Sequence, residues 1–323
     1  MSKKELTLGV DIGGTNTVLG FVDRDGNCLA ESSISTNAQE DARTFSTRLG
    51  GKIKELYSPL AGECAFLGIG MGAPNANYYR GTVENPPNLS WKGVTPLVEL
   101  VKEHFDLPVV ITNDANAAAL GEMLFGAAKG MRDFIVITLG TGLGSGLVSN
   151  GELIYGADGF AGEIGHTIVE PQGRQCGCGK RGCLEAYASA TGICRTVQEL
   201  LCLSREESEL RDISSRRLTG KMVTEAAVRG DAIALAAFDY TGRVLGMKLA
   251  DSVMHTSPEA IILFGGLANA GDLIFNPTKR YMEEYLLAIF RGKVKLLPSN
   301  LPAGNTAVLG ASALIWSELL KAR

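Results

Sequence analysis

Between Gly162 and Glu185 the chain reads GEIGHTIVEPQGRQCGCGKRGCLE. Three thiols stand at Cys176, Cys178 and Cys183 in a C-x-C-x4-C array, and His166, one of only three histidines, lies just upstream. Three thiolates and one imidazole form a tetrahedral ligand set that suits Zn²⁺. A closed Cys3His site leaves no position for a metal-bound water, so a structural metal is expected. The interleaved glycines suit a tight metal knuckle whose backbone must turn sharply; coincidence among seven cysteines is the competing reading. Two carboxylates, Glu163 and Glu185, bracket the array, and the metal would fix the loop that carries both. Cys28, Cys64, Cys194 and Cys202 show no ligand spacing and read as small core residues.

A second chemistry is written in glycines. Asp11-Ile-Gly13-Gly14-Thr15 follows the apolar run Leu6–Val10. Adjacent glycines let backbone amides approach a phosphate, and a Thr hydroxyl adds a donor. An Asp at a strand end is placed to hold hydrated Mg²⁺, although the same residues also make a plain hairpin turn. Thr138-Leu139-Gly140-Thr141-Gly142 repeats the pattern after FIVIT, and Gly265-Gly266 follows a third apolar run, Ala260–Phe264. Two such hairpins could clamp a polyphosphate while the glycine pair offers a flat surface for a purine, which points to nucleotide binding. Asn113-Asp114 lies where a strand meets a helix. Its residues read equally as a helix cap and as a carboxylate free to accept a hydroxyl proton.

The elements that must position these residues form a weak internal repeat. Leu6–Val10, the first hairpin, Val18–Val22, an Asp25-Gly26 turn and a third run are matched about 125 residues later by FIVIT, the second hairpin, GSGLV, Asn150-Gly151 and ELIYG. Each copy reads strand, hairpin, strand, turn, strand, which predicts two similar α/β halves facing each other across a cleft. Between them the pattern predicts a helix over 38–57, a strand over 65–71 ending in Gly72-Ala73-Pro74, and an irregular stretch over 75–92. A strand over 109–112 and an alanine-rich helix from Asp114 to a Gly126 stop follow. After the cysteines, 203–218 reads as a solvated helix or loop without chemistry. A long amphipathic helix is expected over 232–253, and a last helix over 306–321 crossing back to the first half. The domains are expected as a small lobe of 1–115 plus 306–323 and a larger lobe of 116–305 carrying the zinc loop 166–183.

Composition narrows the classes. The chain has 323 residues, 45% hydrophobic and 20% charged, as in a globular enzyme of about two domains. Forty glycines exceed the ~7% of ordinary proteins without any collagen-like period. A net charge of −4 argues against nucleic-acid and anionic-membrane surfaces. The opening MSKKELTLGVDIGG enters a strand at once, with no room for a signal peptide, and no apolar run nears the ~20 residues of a spanning helix. A cytoplasmic protein with reduced thiols is expected, which favours zinc over disulfides.

DIGGT at 11–15, GAP at 72–74, NDANAAALGE at 113–122, LGTGLGSG at 139–146, GEIGH at 162–166 and CGCGKRGCLE at 176–185 together resemble the repressor/open-reading-frame/kinase (ROK) family of sugar kinases. The resemblance implies an α/β, two-lobed, actin-like (ribonuclease-H-related) ATPase fold with ATP and sugar in the cleft. Asp114 would be the general base for the sugar 6-hydroxyl; Asn88, Asn113, Glu163, His166 and Glu185 would bind the sugar together with Asp114. His166 would hold zinc through one ring nitrogen and a sugar hydroxyl through the other. Asp11 would order Mg²⁺ through water. Gly13, Gly14, Thr15, Asn16, Thr138, Gly140, Thr141 and Gly142 would meet phosphates, and Gly265-Gly266 would line the adenosine. At Asn16 many relatives carry Lys, so a neutral hydrogen bond is expected there. The implied reaction is glucose + ATP → glucose 6-phosphate + ADP, the glucokinase step of carbohydrate metabolism. Allose, mannose, fructose or N-acetylmannosamine are other acceptors, and a non-catalytic sugar sensor or repressor is the other class. Homodimers are common among such relatives.

Overall fold

The computed structural model describes residues 3–302 and 304–321. Two five-stranded sheets share one topology. The first is built from β1 (Lys4–Ile12), β2 (Asn16–Val22), β3 (Cys28–Ser35), β4 (Cys64–Gly72) and a strand at Val109–Thr112, with the order β3-β2-β1-β4 and then that last strand. β1 pairs antiparallel with β2 and parallel with β4. The second has its central strand at Phe134–Leu139, which pairs antiparallel with Leu143–Ser149 and parallel with Ala260–Phe264. The internal repeat legible in the chain is thus a repeat of sheet topology.

Contacts divide the chain into two compact units, one of Met1–Met131, Leu153–Gly162 and Asn300–Arg323, the other of Arg132–Glu152 and Glu163–Ser299. The division expected at 115/116 falls later because the helix α3 (Asp114–Phe125) packs against the C-terminal helix Thr306–Lys321, and the one expected at 305/306 falls at 299/300. Its alanines at 115, 117, 118 and 119 are buried, and a β-carbon at Gly121 would stand 3.0 Å from Gly310 Cα. A bulky side chain at this contact would force the two helices apart.

In the first unit the core is Leu6, Leu8, Val10, Leu19 and Phe21 of the sheet with Phe45 and Leu49 of α1 (Ala42–Tyr57). The terminal helix lies directly on the sheet: β-carbons at Gly9 and Gly70 would stand about 2 Å from the carbonyl oxygens of Val308 and Ala311. Only glycine leaves room for this approach. The stretch expected to be irregular over 75–92 instead holds most of a small antiparallel sheet, β5 (Ala76–Asn77), β6 (Thr82–Glu84) and β7 (Val94–Thr95). Its strands are too short to show alternation in sequence. A short helix, α2 (Leu97–Lys102), leads to β8 (Val109–Thr112), the fifth strand of the first sheet.

In the second unit β9 (Phe134–Leu139), β10 (Leu143–Ser149) and β11 (Glu152–Leu153) precede the cysteine loop. Helices α4 (Ala190–Leu203), α5 (Gly220–Val228) and α6 (Ala232–Thr256) follow, then β12 (Ala260–Phe264), α7 (Asp272–Tyr285) and β13 (Lys295–Pro298); α8, the terminal helix, returns to the first unit. The charged run 203–218 is mostly loop, as expected, but Leu210 and Leu218 are buried in the unit's core. Arg211 donates to the carbonyls of Leu201, Ser204 and Glu206, so the run is held down rather than wholly solvated. Among the described residues no helix is long and apolar enough to cross a membrane.

Candidate functional site

Three parallel strands of the first unit end on the same side, and their carboxyl ends carry the expected residues. β1 brings Asp11; the turn after it closes with Gly13 N–H donating to Asn16 O at 3.0 Å. Thr36, just past the end of β3, fastens this turn, its hydroxyl donating to Gly13 O at 2.7 Å and its amide to Thr15 O at 2.8 Å. Thr15 and Asn16 stay exposed. Asn88, some seventy residues on, is brought against the turn: a β-carbon at Gly14 would stand 2.7 Å from Asn88 Cβ. β4 ends at Gly72 and β8 at Thr112, so Asp11, Gly72 and Asp114 meet. Ligands in open α/β sheets bind at this end of the strands.

Asn113 and Asp114 take different places at the start of α3. Asn113 is the cap, its Oδ1 accepting from Asn116 N–H at 2.7 Å. Asp114 is the first helical residue, with Oδ1 accepting from the adjacent Ala115 amide at 2.9 Å. Solvent reaches its carboxylate, yet protein crowds it closely enough that lost hydration raises its pKa. Asp11 is raised to about 6, first by burial and then by the negative charge of Asp114. A carboxyl whose proton affinity is raised by burial and by a second carboxylate beside it is the electrostatic pattern of a cation or phosphate-transfer site.

In the second unit β9 ends at Leu139 and the turn Gly140-Thr141-Gly142 leads into β10. The Thr138 hydroxyl accepts from Gly144 N–H at 3.1 Å. Beside it β12 ends at Phe264. Gly265 adopts a positive φ of 105°, where a β-carbon would stand 2.8 Å from Leu139 O, and Leu267 N–H donates to that same oxygen at 3.0 Å. Gly265-Gly266 and the hairpin therefore form one glycine-lined end of two adjacent strands.

The cysteine array folds into a knuckle. Cys176 N–H donates to Lys180 O at 2.9 Å and Gly179 N–H to Cys176 O at 3.1 Å. One donor atom from each of His166, Cys176, Cys178 and Cys183 lies within 4.8 Å of every other. The Cys178–Cys183 sulfur separation is 3.6 Å; a tetrahedral ion with metal–sulfur bonds of about 2.3 Å needs about 3.8 Å. The four residues are grouped closely enough to share one metal ion. His166 Nδ1 is the nitrogen on the cysteine side, 3.8 Å from Cys176 Sγ, while Nε2 points to Glu163, 3.9 Å from its Oε2. Glu185 touches both features: Oε1 lies 3.5 Å from Cys176 Sγ, and Oε2 accepts from Leu143 N–H at 3.0 Å.

Sequence reasoning missed Arg174. Its largely buried guanidinium donates to Ala186 O, Gly192 O, Thr196 Oγ1 and Glu199, and lies 4.5 Å over the Tyr187 ring. Tyr187 Oη in turn accepts from Arg174 N–H at 2.9 Å. Arg174 thus seats the knuckle on α4. The signal was present as GRQCGCG, where an arginine precedes a metal loop, but charge alone gives no sign of burial.

Residues 7–318 match the family described as "ROK family". Over 284 residues, 87% of this chain and 86% of the relative, the chain is 39% identical to a glucokinase of Halalkalibacterium halodurans. A ROK family glucokinase of Streptomyces griseus, solved in complex with glucose and AMPPNP, superposes with a TM-score of 0.78 at 35% identity, covering 96% of this chain and 98% of that one. A ROK family transcriptional regulator superposes with a TM-score of 0.87 at 27% identity, but this chain covers only 78% of it.

Proposed function

The chain belongs to the ROK family, and from that premise we propose that it transfers the γ-phosphoryl group of ATP to the 6-hydroxyl of a hexose, glucose before others. ATP-dependent hexose phosphorylation of the glucokinase kind is what its similarity to glucokinases carries. The observation that singles out the phosphoryl-transfer end is the meeting of Asp11 and Asp114 at Gly72, beside a glycine turn and at the ends of parallel strands. In this reading Asp114 takes the proton of the sugar 6-hydroxyl as O6 attacks the γ-phosphorus, and ADP departs with the electrons of the broken P–O bond. Its raised pKa moves Asp114 toward the range of an effective base. Phosphoryl transfer depends mainly on positioning and charge stabilisation. A magnesium ion ordered through water by Asp11 would offset phosphate charge.

Asn88, Asn113, Glu163, His166 and Glu185 are proposed to read the sugar hydroxyls, and a pocket of such groups rejects a sugar lacking one hydroxyl by leaving them unpaired. Zinc is the proposed ion of the knuckle, because thiolates and imidazole suit it and all four positions are filled by protein. Held through Nδ1, His166 keeps Nε2 for the substrate. The two-lobed, actin-like arrangement with ATP and sugar in a cleft belongs to the same proposal. The likeness to a transcriptional regulator gives the second reading, a sugar sensor. A coupled assay of ADP release with a panel of hexoses separates them: turnover fastest with glucose is expected, whereas hexose binding without ADP release selects the sensor.

A further inference from the structure

The stretch that follows the cysteine array is bonded to the glycine hairpin at three places. Glu185 Oε2 accepts from Leu143 N–H at 3.0 Å, Ala190 N–H donates to Gly140 O at 2.9 Å, and the Thr191 hydroxyl donates to Thr141 O at 2.8 Å. These bonds bracket the hairpin, one on its β10 side and two on the turn itself, and all lie within one compact unit. The fit at Glu185 is close. A β-carbon on Gly142 would stand 2.3 Å from its Oε2, so only glycine admits the carboxylate here.

The remaining hairpin amides sort by use. Gly140 N–H donates to Gly142 O, Leu143 N–H to Glu185, and Gly144 N–H to Thr138 Oγ1. Among the described residues nothing accepts from the amides of Thr141 and Gly142. Those two are left for an anionic ligand, and their direction is set by the bonds on either side. Fixed donors cost no reorganisation when the ligand arrives.

We propose that Glu185, beyond any contact with sugar, is a positioning residue for the nucleotide: its carboxylate, with the first turn of α4, holds the Gly140–Leu143 hairpin so that the Thr141 and Gly142 amides meet phosphate. The proposal rests on the kinase reading above. It makes the knuckle loop and the phosphate hairpin one mechanical piece, since the other oxygen of Glu185 stands against Cys176.

The test is the affinity of the whole protein for MgADP without sugar, measured by titration calorimetry for wild type, Glu185→Gln, Glu185→Ala and Thr191→Ala. The Gln side chain keeps an oxygen for the Leu143 amide and Ala does not. Glu185→Ala is expected to weaken MgADP about tenfold, a change of about 1.4 kcal/mol, while Glu185→Gln stays within about twofold of wild type or binds more tightly. Unchanged affinity in Glu185→Ala, or equal losses in both variants, overturns the proposal. If Glu185→Ala does not fold, Thr191→Ala decides: about threefold weaker binding supports the hairpin brace and wild-type affinity refutes it. Wild-type protein that binds no MgADP removes the kinase reading as well, whereas normal turnover with an indifferent Glu185→Ala removes this inference alone.

Discussion

Asp11 Oδ1 and Asp114 Cα flank one empty position: a β-carbon on Gly72 would stand 3.5 Å from the first and 3.9 Å from the second. Residues a hundred positions apart are thereby joined around a glycine at the end of β4. Both carboxyls are raised, Asp11 to about 6 by burial and by Asp114, and Asp114 by the hydration it loses to crowding protein. Several consequences can be measured.

Gly72→Ala places a methyl at ordinary van der Waals distance from Asp11 and from Ala117 Cβ, also 3.5 Å away. The variant should fold with nearly unchanged melting temperature. The methyl would crowd the space beside Asp11 in which magnesium-bound water is proposed to sit, so kcat/KM should fall tenfold or more and the magnesium requirement should rise. Turnover and magnesium dependence at the wild-type level would detach Gly72 from the site.

Asp114→Asn keeps the shape of the side chain and removes the proton acceptor. Turnover should fall by about 10²–10⁴-fold, the usual worth of a general base, with zinc content and glucose affinity nearly intact. Steady-state kinetics beside glucose titration checks this; retained turnover takes Asp114 out of the base role.

The raised carboxyls set the pH response. Activity should climb as pH rises through about 6, where Asp11 ionises. Stability should move the other way. In the folded protein Asp11 holds its proton to about 6, against an ordinary 3.8, so the native state binds more protons between these values and loses stability as pH rises through them. Without magnesium, Asp11→Asn should therefore stabilise the protein at pH 7 by up to about 3 kcal/mol, at 1.36 kcal/mol per unit. That gain should vanish below pH 4. Thermal melts at pH 4 and 7 decide it; no gain at pH 7 contradicts the burial argument.

Cys178→Ser removes a ligand from the exposed side of the knuckle. Zinc content should drop and glucose affinity should fall most. MgADP affinity should fall less, because the bonds of Ala190 and Thr191 to the hairpin remain. Metal analysis with paired titrations reads all three, and unchanged glucose binding in the zinc-free protein ends the scaffold role.

Arg174→Ala strips hydrogen bonds from buried carbonyls and leaves Glu199 without its partner. A loss of about 3 kcal/mol is expected. Glu199→Ala should cost about 1 kcal/mol or less, since Glu199 is exposed. Denaturant unfolding compares them; equal small losses would show that Arg174 bears no load.

Much of this protein was legible along the chain because its information is local. The Cys176–Cys183 spacing with His166 pointed to four donors that the fold does group together, and strand–hairpin–strand periodicity twice over pointed to two similar halves, which the two sheets of one topology bear out. Helix α3 was readable from its cap to its Gly126 stop for the same reason. Other features are properties of packing between distant residues. Nothing in the order of residues says that Asn88 leans on Gly14 or that Asp11 feels the charge of Asp114. Nor does it say that Glu185 spends an oxygen on the Leu143 amide, that Arg174 is buried, or that α3 packs with the C-terminal helix and so moves the expected boundary. Spacing encodes which groups a short loop can bring together, whereas contacts closed over a hundred residues are chosen by the burial of whole sheets and helices, and only the folded chain displays that choice.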